Sequence, residues 1–96
     1  MLLSGLQHVD RFKEKHPRCA RSLSRVQFLL ESAQIQTPID LKKIFGGNVD
    51  FVGRKTVIDI GGNKARMILV ISYRNGMGII EAVLTHEEYD RNNWKD

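Results

Sequence analysis

The sequence predicts an α+β fold, with an N-terminal helical hairpin packed on one face of an antiparallel or mixed sheet of three to four strands and a short C-terminal helical turn. Two observations predict it. Apolar residues recur at helical spacing early in the chain, whereas β-branched residues and short turn sequences dominate after residue 49. At 96 residues the chain has the size of one small domain, so we expect a single unit over residues 1–96.

The composition narrows the class of protein. Fifteen Lys and Arg residues against eleven Asp and Glu residues give a formal net charge of +4, which favours an anionic partner such as nucleic acid or an acidic protein segment. The single cysteine, Cys19, permits no internal disulfide, and we expect it to be buried. The first residues turn polar too early for a signal peptide, and no stretch approaches the roughly 20 apolar residues of a membrane span. We therefore expect a soluble, cytoplasmic protein.

The first two helices are predicted to form a hairpin. Residues 1–3 fit a short edge strand, and Ser4 is a candidate N-cap for the helix that follows. His16-Pro17 ends this helix, because proline disfavours helical geometry in the preceding residue but is accepted in the first turn of a new helix. The apolar residues of the first helix recur on one side: Leu6, Val9 and Phe12.

The second helix is expected to extend to about Gln34. Three arginines, spaced three and four apart, share one side of it: Arg18, Arg21 and Arg25. The apolar side, which Phe28 and Leu29 widen toward a neighbouring layer, is formed by residues at helical spacing: Leu23, Val26, Leu30 and Ala33.

A third, short helix is predicted over Pro38–Phe45. Thr37 is its cap, Asp40 lies near its positive end, and Gly46-Gly47 terminates it. The strands that follow are Val49–Val52, Lys55–Ile60, residues 65–73 and residues 78–85. Gly61-Gly62-Asn63 forms one turn, and Asn75-Gly76 predicts a two-residue type I′ hairpin.

These turns fix a register. A two-residue turn at Asn75-Gly76 sets Arg66 opposite Thr85 and Ala65 opposite His86, and the preceding connection sets Asp59 opposite Arg66. We therefore expect a polar row of Asp59, Arg66 and Thr85 at one end of the sheet. Residues 86–90 emerge at the same end.

The stretch T-H-E-E-Y-D, residues 85–90, is unusually rich in titratable groups. In a purely structural interpretation, Thr85 caps a terminal helical turn and Glu88 completes a capping box. A helical turn does not require the types of His86, Tyr89 and Asp90, so a functional cluster is the competing interpretation.

The chemistry open to such a cluster is limited. The sequence has no zinc-ligand spacing, no phosphate-binding glycine loop and no serine or cysteine nucleophile near His86. Acid–base catalysis on a phosphodiester remains, with Arg66 and Lys64 neutralising the phosphate and His86 or Tyr89 moving protons. RNA fits best because its own 2′-hydroxyl is the nucleophile, so we expect neither a metal nor another cofactor.

Two segments together resemble a known family. G-N-K-A-R-M-I (residues 62–68) and T-H-E-E-Y-D-R (residues 85–91) look like the paired signature of HigB-type toxins, ribonucleases of the RelE/ParE superfamily from bacterial type II toxin-antitoxin systems. E-K-H-P, residues 14–17, matches the end of the family's first helix. The resemblance implies a RelE-like fold, ribosome-dependent endoribonuclease activity on translated mRNA (an mRNA interferase) and inhibition by a DNA-binding, HigA-like antitoxin.

The resemblance also implies a site. Arg66 is assigned to phosphate binding, His86 or Tyr89 to proton transfer, and Asp90 to orienting a partner. Ala65 departs from the family, which usually has an aromatic residue there, and by the register above it would open space beside His86. The matched RNA-binding positions are Asn63 and Lys64, and the candidate ribosomal RNA contacts are Arg18, Arg21 and Arg25, with Arg11 and Lys15 as further candidates. A solvated helix face without a partner is the competing interpretation of these basic residues.

Two other functions stay open on sequence alone. A gyrase-directed, ParE-like poison would use the same superfamily fold without needing His86 and Tyr89. A non-catalytic RNA-binding or partner-binding module would use the basic helix side and leave residues 85–90 as a cap. Trp94 is expected to pack back onto the sheet.

Overall fold

The computed structural model describes residues 1–62 and 64–95, and its five-stranded sheet has the strand order β1-β5-β4-β3-β2. β1 runs parallel to β5 and the other neighbours are antiparallel, so the sheet is mixed. The α+β class is confirmed, and the sheet has five strands where three to four were predicted. The N-terminal segment forms the short edge strand that the sequence predicts there. The strands are β1 (Leu2–Ser4), β2 (Val49–Val52), β3 (Lys55–Ile60), β4 (Ala65–Ser72) and β5 (Met77–Thr85).

Three helices pack on one face of the sheet and a fourth follows β5. The predicted break at His16-Pro17 is confirmed, and a 3-10 turn, Pro17–Cys19, connects the first two helices. No helix within residues 1–62 and 64–95 is long and apolar enough to cross a membrane. The helices are α1 (Leu6–Lys15), α2 (Ala20–Ser32), α3 (Pro38–Phe45) and α4 (His86–Asp90), with two further 3-10 turns at Gly46–Asn48 and Asn93–Lys95.

The main core lies between the helices and one face of the sheet. Cys19 is buried there, as predicted. Phe28 is an error of the prediction: it is 65% exposed, because it lies two residues after the buried Val26 and so turns away from the sheet. The fully buried side chains of the sheet that face the helices include Ile58, Ile60, Ala65, Met67, Leu69 and Ile80.

A smaller apolar cluster covers the other face, which we call the outer face. Val57 of β3, Ile68 of β4 and Trp94 form its centre, so the predicted packing of Trp94 onto the sheet is confirmed. Partly buried residues surround this centre: Val52, Ala82, Leu84 and Tyr89. The central strands are therefore covered on both faces, by helices on one and by the C-terminal segment on the other.

The first residues of α3 and α1 are fixed in different ways. Thr37 and Asp40 form the capping box of α3, with the Asp40 amide donating to Thr37 Oγ1 at 3.3 Å and the Thr37 amide donating to Asp40 Oδ2 at 3.1 Å. The predicted cap of α1 is wrong: Ser4 is the last residue of β1, and Gly5 begins the helix with a φ of 81°. A left-handed conformation at Gly5 lets the chain turn directly beside the backbone of Ile80.

The last hairpin differs from the predicted one in two ways. Residues 73–76 form a four-residue connection, because Ser72 pairs with Met77 and, of the Asn75-Gly76 pair, Gly76 alone has a positive φ. A β-bulge then adds Glu81 to β5, since Ile68 pairs with Ala82 but Leu69 pairs with Ile80.

The shifted register corrects two predicted contacts. Arg66 lies opposite Leu84 instead of Thr85, so Thr85 is not part of the polar row. Ala65 lies opposite Thr85, with its side chain fully buried in the helix-facing core, so it opens no space beside His86. Asp59 does lie opposite Arg66, as predicted.

Gly5→Ala is expected to be among the most damaging substitutions outside the core. Its Cβ would overlap the Ile80 carbonyl oxygen, and its φ of 81° disfavours any L side chain. We expect a loss of more than about 3 kcal/mol in the free energy of unfolding, measured by chemical denaturation. Gly53→Ala is the matched control, because its φ is 61° but no atom lies within 4 Å of the added Cβ, and it should cost about 1 kcal/mol. Equal losses would contradict the close approach.

Candidate active site

α4 begins at the end of β5 because of a capping box. The Glu88 amide donates to Thr85 Oγ1 at 3.2 Å, and the Thr85 amide donates to Glu88 Oε1 at 2.9 Å. These bonds lower the pKa of the Glu88 carboxyl, with the Thr85 backbone N–H as the largest cause. The structural interpretation of Thr85 and Glu88 is thereby confirmed, and the box sets the direction in which the rest of the helix leaves the sheet.

His86 and Asp90 form a pair on the exposed side of α4. His86 Nδ1 lies 2.8 Å from Asp90 Oδ2, and the two side chains are 48% and 59% exposed. Residues four apart are neighbours on a helix, so the geometry follows from the sequence spacing. With Nδ1 held by the carboxylate, Nε2 is the ring nitrogen left to act on a ligand.

Arg66 lies on the outer face beneath this helix. Its Nε is 2.9 Å from Asp59 Oδ1, and its Nη1 donates to the carbonyl oxygen of Ala65 at 3.1 Å. The guanidinium carbon lies 5.4 Å from the centre of the Tyr89 ring, a cation–π distance. The Arg66 side chain is only 10% exposed, so it forms the floor of the site.

Tyr89 connects Arg66 to the C-terminus. Its ring stacks on Trp94 with centroids 4.7 Å apart and planes inclined by 14°. Trp94 Nε1 also donates to the Tyr89 carbonyl oxygen at 2.7 Å. We call Arg66, Tyr89 and Trp94 the outer-face stack, since consecutive members contact one another. Trp94 packs on the sheet as the sequence predicts, but its contact with Tyr89 was not predicted, because no local pattern encodes it.

The environment of Tyr89 favours its protonated form. Burial raises the pKa of the Tyr89 phenol, and the charge of Asp50 raises it further, while Arg66 acts in the opposite direction. The phenol is therefore neutral at physiological pH and able to donate a proton or a hydrogen bond. His86 and Tyr89 thus bring an acceptor nitrogen and a donor oxygen to one short helix.

The predicted RNA-binding residues are distributed over two faces. Lys64 is exposed just before β4 and lines a cavity together with Arg18 of the helical hairpin. Arg21 and Arg25 are exposed on α2, and Arg25 lines a different cavity that Asp59 also borders. Asn63 lies outside the described residues. Within residues 1–62 and 64–95, no group of three or more His, Cys, Asp or Glu side chains could hold a metal ion.

A family comparison places the chain in a class of toxins from toxin-antitoxin systems. Residues 19–92 match the family described as "HigB_toxin, RelE-like toxic component of a toxin-antitoxin system". Because the match covers most of the chain, the chain belongs to the HigB toxin family, and a cognate antitoxin is the partner that the family implies.

Curated relatives agree with this family. The chain is 27% identical over 79 residues to the "mRNA interferase toxin HigB" of Escherichia coli strain K12, covering 80% of this chain and 76% of the relative. It has the same identity to the "mRNA interferase HigB" of Escherichia coli O6:H1 strain CFT073, over 80% of this chain and 77% of the relative. The "mRNA interferase HigB" of Shigella flexneri is also 27% identical, with 80% and 76% covered.

The outer-face stack predicts an alkaline titration of Tyr89. Tyr73 is the other of two tyrosines, so a Tyr73→Phe variant reports Tyr89 alone through tyrosinate absorbance. We expect ionisation above the ordinary value of about 10. Trp94→Leu in the same background should lower the pKa toward that value by exposing the ring, and Tyr89→Phe should remove the signal.

The raised pKa of Tyr89 also determines the direction in which the free energy of unfolding changes with pH. The pKa of the Tyr89 phenol is higher in the folded than in the unfolded protein. The contribution of this phenol to the free energy of unfolding is therefore fully present below a pH of about 10 and is lost as the pH rises through the folded pKa. Ionisation of Tyr89 at or below the ordinary value would contradict the described packing.

Proposed function

We propose that this chain acts as a single toxin domain over residues 1–96, an endoribonuclease that cleaves translated mRNA on the ribosome and so inhibits translation. The observation that carries the proposal is the His86–Asp90 pair, whose atoms lie 2.8 Å apart on the exposed side of α4, the helix that also carries the neutral phenol of Tyr89. Relatives named mRNA interferases support it at 27% identity. Its action would be cytoplasmic, where translated mRNA is found.

In the proposed reaction, His86 is the general base. Asp90 accepts a hydrogen bond from Nδ1–H and so fixes the tautomer, and Nε2 accepts the proton of the RNA 2′-hydroxyl. The 2′-oxygen forms a bond to the adjacent phosphorus as the bond to the 5′-oxygen breaks. Tyr89 donates a proton to the leaving 5′-oxygen. The products are a 2′,3′-cyclic phosphate and a 5′-hydroxyl, and the RNA supplies the nucleophile.

Arg66 and Lys64 are proposed to stabilise the phosphate charge. Because the Arg66 side chain is 10% exposed and paired with Asp59, the phosphate meets it at the margin of the Tyr89 ring. Lys64 is exposed and contributes a second positive charge at the same end of β4. The Tyr89 phenol as a hydrogen-bond donor and the Lys64 ammonium as a positive charge suit a phosphorus centre that gains negative charge in the transition state, and the pairing of Arg66 with Asp59 leaves Arg66 the weaker of the two cations.

The partners follow from this activity. We propose that a HigA-like, DNA-binding antitoxin neutralises the toxin, and that Asn63 contacts RNA beside Lys64. The basic residues of the helical hairpin are proposed contacts to ribosomal RNA, because they are exposed and a phosphate backbone favours clustered positive charge. They are Arg18, Arg21 and Arg25.

Mapping of mRNA 5′ ends after brief induction tests the proposal. The wild type should generate new ends in phase with codons, whereas a His86→Ala, Tyr89→Ala double variant should lower their formation at least about 100-fold, as expected when acid–base groups are lost. Glu87→Gln is the matched control, an exposed residue of the same helix with no assigned role. Growth arrest by the wild type without new ends would contradict the nuclease and point to a target such as gyrase.

A further inference from the structure

A cavity of about 460 Å³ opens between the end of the helical hairpin and the turn before β4. We call it the hairpin-tip cavity. Its volume falls in the range of about 300–1,000 Å³ that is usual for small-ligand pockets. It is lined by Lys15, His16, Pro17, Arg18, Cys19 and Lys64.

The charge of this cavity is uncompensated. Three of its lining residues, Lys15, Arg18 and Lys64, are exposed cations, and none of the described residues that line it carries a carboxylate. Among the described residues, none of the three forms an ion pair within 4 Å. Cations that converge on one space without a counterion favour the binding of an anion.

An adjoining cavity shows that this charge pattern is local. It lies between α1 and β5, and Arg11 and Lys15 line it from one side. Two carboxylates, Glu81 and Glu88, line the same cavity and offset those charges. The hairpin-tip cavity has no such residues, so it is the better anion site of the two.

The hairpin-tip cavity is next to the candidate active site. Lys64 directly precedes Ala65, which pairs with Thr85, the cap of α4, and paired strands lie only about 5 Å apart. Lys15 and His16 line both the hairpin-tip cavity and the adjoining cavity between α1 and β5. Glu88 of α4 lines that adjoining cavity as well. One nucleic-acid strand could therefore contact α4 and the hairpin-tip cavity at the same time.

We infer that the hairpin-tip cavity binds a backbone phosphate of RNA other than the one at the bond that is cut, with Lys15 and Arg18 as its main contacts and Lys64 shared between the two phosphates. The inference deepens the proposed function and rests on it for the identity of the anion. The phosphate belongs either to the strand being cleaved or to ribosomal RNA, since both present the same chemistry. Pro17 and Cys19 give the cavity an apolar wall beside its three cations.

RNA binding by a Lys15→Gln, Arg18→Gln double variant tests the inference. The probe is a short, fully 2′-O-methylated RNA, which cannot be cleaved through its 2′-oxygens, followed by fluorescence anisotropy over a range of salt concentrations. Each phosphate contact on a single strand contributes about 0.7 to the salt slope, so loss of the one phosphate held by this cavity should reduce the slope by about 0.7. The affinity of this double variant for the RNA at low salt should also be lower than that of the wild type.

The matched control is an Arg54→Gln, Arg74→Gln double variant. Both arginines are exposed in turns at the opposite end of the sheet, and the change in net charge is the same. The control should keep the wild-type salt slope. Unfolding curves of both double variants should match the wild type, because all four side chains are exposed.

A second measurement identifies the source of the phosphate. Co-sedimentation with purified ribosomes lacking mRNA reports contact with ribosomal RNA. If the Lys15→Gln, Arg18→Gln variant loses affinity for the oligonucleotide but still binds ribosomes, the phosphate belongs to the strand being cleaved. If it loses affinity for ribosomes but still binds the oligonucleotide, the phosphate belongs to ribosomal RNA.

The inference is overturned if the Lys15, Arg18 variant matches the control in both assays, or if the wild type binds neither probe. The fate of the proposed nuclease is separate. If the wild type does not cleave mRNA but its RNA binding still depends on the cavity residues, the nuclease proposal is contradicted and the inference of an RNA-binding cavity stands.

Discussion

The buried guanidinium of Arg66 is the constraint on which the outer face depends. Arg66 is 8% exposed, and removing such a charge from water costs several kcal/mol unless it is paired and hydrogen-bonded. Asp59 on the neighbouring strand supplies the pair at 2.9 Å, and the Ala65 carbonyl accepts a further bond. The Tyr89 ring covers what remains, which requires the chain after β5 to turn back over the sheet.

Two local devices hold that turn. The capping box of Thr85 and Glu88 starts α4 at the last residue of β5, and the bond from Trp94 Nε1 to the Tyr89 carbonyl fastens the chain after the helix ends. The helix is therefore fixed at both ends and from below. His86 and Asp90 remain on its exposed side, where they contribute little to packing. The capping interpretation of residues 85–90 and the catalytic one are thus compatible, because different residues serve each.

Local signals predicted the parts of the fold that local interactions determine. Pro38–Phe45 was predicted with the correct boundaries, because Thr37, Asp40 and the following glycines act within one turn of the helix. The Asp59–Arg66 pairing was predicted because a short connection fixes the register of β3 and β4. The His86–Asp90 pair was not predicted, although it depends only on helical spacing.

Most errors of the prediction arise where residues distant in sequence determine the contacts. The four-residue connection at residues 73–76 moves the register of β4 against β5 by two positions from the predicted one, and the bulge at Glu81 moves it back by one, so the partners of Arg66 and Ala65 differ from the predicted ones by one residue. The Glu81 side chain reaches Lys55 on β3 at 2.7 Å, across β4. No neighbour of Glu81 in sequence announces this contact. The stacking of Trp94 on Tyr89 depends likewise on the direction that the C-terminal segment takes. The hairpin-tip cavity combines Lys15 and Arg18 with Lys64, residues that are distant in sequence and adjacent only after folding.

The chemistry assigned to α4 is tested most directly by the ends of the cleaved RNA. A reporter mRNA would be cut on purified translating ribosomes, and its product ends would be identified. Attack by the 2′-hydroxyl predicts a 5′-hydroxyl and a 2′,3′-cyclic phosphate, and a single 2′-deoxy substitution at the cut position should abolish cleavage there. Products with 5′-phosphate ends, or cleavage that persists at the deoxy position, would contradict proton transfer from the RNA to His86.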